Sequence, residues 1–148
     1  MLIKNYTDMK LQIPISEAVD LIKQKSGKVV MLKVVNDNTI TIGYDINVKV
    51  PIIGYVSKNV IVDVTTDKVE KEDVYLHYAV GMHGGNSIVS SLLTLFANDI
   101  RIVEKCDNNG LVLHLSEIEQ ARKILKYVEI KSISFGTDSI LVEFKMKE

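Results

Sequence analysis

Residues 39–52 read TITIGYDINVKVPI. Every even position is apolar: Ile40, Ile42, Tyr44, Ile46, Val48, Val50 and Ile52. The odd positions are Thr39, Thr41, Gly43, Asp45, Asn47, Lys49 and Pro51. Successive side chains of a strand point to opposite faces, so this alternation predicts a β-strand with one dry and one wet face. At about 3.3 Å per residue it would run roughly 40 Å, against a usual length of five or six residues. Strands twist, and one this long must curl around an apolar element to keep its dry face covered.

The remaining composition sets bounds. A chain of 148 residues predicts a single domain, 1–148, with a substantial core. Hydrophobic residues make up 47% and charged residues 25%, the balance of an ordinary globular protein. The net charge of −1 gives no global field to attract nucleic acid or an anionic membrane. A single cysteine, Cys106, excludes an internal disulfide and reads as a small residue beside a turn. The opening residues contain no apolar core of a signal peptide, and no apolar run approaches the roughly 20 residues that cross a bilayer. The expectation is a soluble chain without an integral membrane segment, cytoplasmic as written, or exported if a leader has been removed.

On either side of the long strand the pattern continues. Leu11, Ile13 and Ile15 alternate and predict a short strand, with Pro14 confining it to an edge. Ser16 reads as the cap of a helix over 16–26, whose apolar face is Ile15, Ala18, Val19 and Ile22 and whose end is Gly27. Val29 to Val35 is apolar on both faces except at Lys33, so it predicts a strand covered on both sides. Asn36-Asp37-Asn38 is a turn by chemistry. Pro51 to Gly54 predicts a bend or bulge, and Ser57-Lys58-Asn59 a hairpin turn. Val60, Val62 and Val64, then Val74, Leu76, Tyr78 and Val80, give two more alternating strands about a charged turn over 67–73. Consecutive strands on short turns form an antiparallel meander.

After Gly84-Gly85 comes a segment apolar around most of a helical circumference: Ile88, Val89, Leu92, Leu93, Leu95 and Phe96, interrupted by small residues. Such a helix belongs inside a protein, and it is the natural element for the long strand to wrap. A short strand over 100–104, an Asn-Gly type turn at Asn109-Gly110 and a strand through Leu111 and Leu113 follow. Ser116 and Glu119 read as a capping box opening a third helix with the face Ile118, Ala121, Ile124 and Leu125. The chain closes on a hairpin, 128–135 with 140–146, turned at 136–139. The fold class expected is therefore α+β: a highly curved antiparallel sheet wrapped on a central apolar helix, with two further amphipathic helices.

No constellation carries chemistry. His83-Gly84-Gly85 could free backbone donors before a helix, but no Gly-x-Ser-x-Gly elbow accompanies it, and the hinge reading is preferred. His77 and His114 fall on the wet faces of their strands. No two histidines stand at metal-ligand spacing, and Glu70, Glu72 and Asp73 lie in a solvated turn. Lysines are scattered without aromatic interleaving, which supports no nucleic-acid platform. Neither a catalytic residue, a metal nor a cofactor is expected.

The run Val48-Lys49-Val50-Pro51-Ile52-Ile53-Gly54, the strands over 60–64 and 74–80, and the apolar helix from Ile88 together resemble small bacterial members of the tubular lipid-binding (TULIP-like) group. The ending, a helix, then Val128-Glu129-Ile130, a polar turn and a last alternating strand, is similar too. The resemblance implies a non-enzymatic domain whose curved sheet and helix hold a lipid or other apolar small molecule. Its lining would be Ile42, Tyr44, Ile46, Val48, Leu92, Leu93 and Phe96. The alternative is a fully packed structural or protein-interaction module in which the same residues are core. The meander leaves strand edges, so a homo-oligomer stays open.

Overall fold

A computed structural model describes residues 8–80 and 102–147. In chain order these form β1 (Asp8–Pro14), α1 (Ile15–Ser26), β2 (Met31–Asn36), β3 (Thr39–Val50), β4 (Gly54–Glu70), β5 (Asp73–Val80), β6 (Val103–Lys105) and β7 (Gly110–His114). A 3-10 turn (Leu115–Glu117), α2 (Glu119–Leu125), β8 (Val128–Gly136) and β9 (Ser139–Met146) follow. The fold is α+β, and all described strand pairings are antiparallel. The apolar segment from Ile88 to Phe96, expected as a central helix, lies outside the described residues.

The strands make two sheets where the sequence suggested one. β2-β3-β4-β5 is the expected meander, continued by β7 and β6 into a six-stranded sheet. β1, β9 and β8 form a separate three-stranded sheet. The two meet where β8 reaches β4 and the β2–β3 turn: Thr66 Oγ1 donates to the Ile133 carbonyl at 3.2 Å, and Phe135 N–H to the Asp37 carbonyl at 2.8 Å. The core lies on one face of the large sheet, from Ile40, Ile42, Tyr44, Val60, Val62, Val64 and Tyr78. Phe135 and Ile140 of the small sheet pack against it, together with Ile15, Val19 and Ile22 of α1. The amphipathic stripe read from the sequence is thus the stripe α1 uses.

Local chemistry explains most element ends. Gly27 takes φ 74° and its N–H donates to the Lys23 carbonyl, the left-handed cap that lacks a Cβ penalty. Asn36 Oδ1 accepts from the Asn38 N–H at 3.0 Å and closes the β2–β3 turn. Asn108 and Asn109 both take φ 58°, as a type I′ turn requires, and join β6 to β7.

Four local expectations are corrected. Pro14, not Ser16, precedes α1, and no side chain caps it. Proline's fixed φ suits entry to a helix, and the Ile15 N–H is held by the Asp138 carbonyl at 2.9 Å. Ser116 joins the 3-10 turn, so the cap of α2 is Ile118 and no capping box forms. Val29, Met31 and Val35 are exposed, because β2 is an edge strand covered on one face only. Ser57-Lys58-Asn59 is no turn: it lies within β4, opposite Asn47, Ile46 and Asp45 of β3. The hairpin turn is at 51–53.

Candidate functional site

The β3–β4 hairpin runs in continuous register from Thr39↔Thr65 to Val50↔Gly54. Its inner part is flanked on both sides, by β2 up to Met31↔Gly43 and by β5 from Val62↔Val80. Beyond Asp45↔Asn59, β3 and β4 pair only with each other among the described residues. Six pairs from there to Val50↔Gly54 make a ribbon of roughly 17 Å. Asn59 Nδ2 donates to Asp45 Oδ1 at 3.0 Å where it leaves the sheet.

The tip of this ribbon is apolar and wet. Ile52 is 107% exposed, Ile53 74% and Tyr55 74%. Ile52 takes φ 75° and Gly54 φ 98°. Pro51 followed by a residue of positive φ is the order of a type II turn, whose second central place normally goes to Gly or Asn. A β-branched residue there is strained, and the strain is one that persists mainly where function retains it. Residues 46–62 contain no acid, and Lys49 and Lys58 are their only charges. The segment therefore carries two positive charges in a chain of net charge −1.

A cleft of about 400 Å³ lies elsewhere, where the β4–β5 turn meets α2 and the ends of β8 and β9. Leu125 and Val128 line it together with Lys71, Glu72, Asp73, Ser116, Glu129 and Lys147. Lys147 Nζ stands 3.9 Å from Glu72 Oε1 across it. This concavity is mixed in charge, and the residues that line it are not those expected from the sequence to hold a ligand.

The two described histidines are held by carboxylates. His77 Nδ1 lies 2.7 Å from Asp67 Oδ1 on the exposed face. His114 Nδ1 lies 2.8 Å from Asp73 Oδ1, and its Nε2 3.7 Å from Glu104 Oε1. The hydrogen bond to the Asp73 carboxylate raises the His114 pKa above its ordinary value; burial opposes this, and the charges of Asp73 and Glu104 add to it. Both are cross-strand partners of the kind that tie a sheet together. Among the described residues, no group of three His, Cys, Asp or Glu could hold a metal ion. Cys106 is a half-buried free thiol beside the β6–β7 turn.

Of the lining residues expected from the sequence, Ile42 is 3% exposed and Tyr44 4%, both within the packed core. Burial pushes the Tyr44 hydroxyl up to about 12. Ile46 and Val48 belong to β3, but their side chains lie outside what the structure describes. Leu92, Leu93 and Phe96 lie outside the described residues, as does His83. The structure thus brings Ile42 and Tyr44 together and places the exposed tip residues, Ile52, Ile53 and Tyr55, far along the same hairpin. Sequence reasoning passed over them because Pro51 to Gly54 read as a bend within a strand. The signal was present in Ile52-Ile53, two apolar neighbours that end the alternation, and in the acid-free run around them. No described helix is long and apolar enough to cross a membrane. Comparison with protein-family models, curated proteins and solved structures found no match to this chain.

Proposed function

We propose that this chain is a non-enzymatic binding domain that engages its target through the outer β3–β4 hairpin. One observation carries the reading: among the described residues the three most exposed large apolar side chains cluster at the tip of the outer ribbon, on a turn that strains Ile52. Covering a single isoleucine side chain is worth about 1.5–3 kcal/mol, so a tip with two of them has a strong drive toward an apolar surface. Away from the tip, the described histidines are engaged in cross-strand pairs, which supports a scaffold role for them.

The competing reading is the one the TULIP-like resemblance implies, a lipid or other apolar ligand held between a curved sheet and the segment from Ile88. An apolar fluorescent probe, anilinonaphthalene sulfonate, separates the two. Under the tip reading, Ile52→Ser with Ile53→Ser removes most probe fluorescence, Ile42→Val leaves it unchanged, and native mass spectrometry of the purified chain shows no bound lipid. Probe binding indifferent to the tip, with lipid carried by the wild type and by the double variant alike, overturns the tip reading in favour of an internal ligand.

A further inference from the structure

We infer that the surface this hairpin engages is an anionic lipid bilayer, into whose interface the tip inserts. The inference rests on the tip reading above and names its partner.

Shape is the first ground. The tip is convex, built on three large side chains. A stable protein interface uses about 20–30 residues a side, and this tip offers a small fraction of that. A fluid interface needs no complementary pocket, because lipids rearrange around an inserted side chain.

The order of chemistry along the ribbon is the second. Ile52 and Ile53 stand at the extreme end. One pair behind the turn, Lys49 faces Tyr55 across the strands. Tyrosine favours the headgroup level, with an apolar ring and a polar hydroxyl. Lysine reaches back toward water with an apolar stem. Lys58 opposes Ile46, three pairs further from the tip, or roughly 10 Å. That places both ammonium groups within about a Debye length of a headgroup plane at Tyr55. No carboxylate between Asp45 and Asp63 opposes them. An apolar end, then an aromatic level with one cation, then a second cation is the sequence of environments met on leaving a bilayer.

A second copy is the weaker occupant. The described cleft that could receive a tip is rimmed by Lys71, Glu72, Asp73, Glu129 and Lys147. Isoleucines entering it would strip water from those charges without replacing it.

The test uses the full chain and vesicles of phosphatidylcholine with about 30% phosphatidylserine, against vesicles of phosphatidylcholine alone, the lysine effect being read on the scale of surface electrostatics. Wild type is expected to float with the anionic vesicles and to release as salt is raised. Ile52→Ser with Ile53→Ser is expected to weaken binding about tenfold or more. Lys49→Gln with Lys58→Gln should cost about fivefold per lysine on anionic vesicles, with little effect on neutral ones. Ile124→Ser, an exposed apolar position on α2, should change nothing. The chain has no tryptophan, so Tyr55→Trp supplies a sole reporter whose emission should shift to the blue and be quenched by brominated lipid.

No flotation of the wild type at low salt overturns the inference, as does flotation that survives the double isoleucine change. Dimerisation that the same change abolishes, without vesicle binding, overturns it in favour of a second copy. Failure on vesicles with tip-dependent probe binding removes the lipid and leaves the hairpin reading standing. Probe binding indifferent to the tip removes both.

Discussion

The two halves of one hairpin meet opposite fates. In the inner half, Ile40, Ile42 and Tyr44 of β3 and Val60, Val62 and Val64 of β4 are buried in the main core. In the outer half, Val56, Tyr55 and the turn residues Ile52 and Ile53 stand in water. Alternation persists through β3 but weakens in outer β4, where Gly54 and Lys58 share the face of Val56 and Tyr55 stands on the other face beside Lys49. What differs is company: β2, β5, α1 and the small sheet reach the inner half, whereas β3 and β4 have only each other beyond Asp45↔Asn59 among the described residues. Period two states which face is apolar, and only the rest of the fold decides whether that face is dry.

Four measurements sharpen this contrast or break it. The largest effect is expected at Val62, which is fully buried. Val62→Ala should cost about 2–3 kcal/mol of unfolding free energy in urea, by lost transfer and a residual cavity. A loss under half of that would mean the inner half is loosely packed. Next is the turn. Ile52→Asn, which puts a residue tolerant of positive φ where isoleucine is strained, should stabilise the chain by about 1 kcal/mol. It should weaken probe binding at the same time. A variant that destabilises the chain would show that Ile52 is packed rather than strained.

The third measurement loosens the sheet at its other side and spares the ribbon. The His114 pKa is raised by Asp73, so the protonated ring stabilises the fold. That contribution is complete below the unfolded pKa near 6.5 and is lost as pH climbs through the raised folded value. As pH rises from below about 6.5 through the raised folded value, wild type should lose stability relative to His114→Gln, with tip-dependent binding unaltered. An unchanged difference across that range would remove His114 as a titrating strut. The smallest effect is at Val56, where alanine should shift stability by less than about 0.5 kcal/mol. A shift comparable to that at Val62 would erase the distinction between the halves.

Most elements were legible because their signals are local. Thr39–Val50 follows from alternation, the α1 face from its spacing, the Asn36–Asn38 turn from an Asn side chain that bonds its own main chain, and the Asn108–Gly110 turn from residues that tolerate left-handed backbone. Where reading failed, the deciding partner was distant. Ser57-Lys58-Asn59 has the composition of a turn, yet Asp45, Ile46 and Asn47 hold it extended. Two sheets rather than one follow from β1 pairing with β9, which no window along the chain contains. The tip was misread for a related reason: a proline and a glycine mark a reversal and a bend alike, and only the register of what comes after tells them apart.

That pairing of first strand with last has a consequence for biosynthesis. Asp8 lies opposite Lys145, so β1 leaves the ribosome long before the strand that completes its hydrogen bonds exists. At 5–20 residues per second the wait is roughly ten seconds, during which Leu11 and Ile13 have no partner strand. Nascent chains arrested before Ser139 should therefore show β1 open to protease, and chains released past Met146 should show it closed.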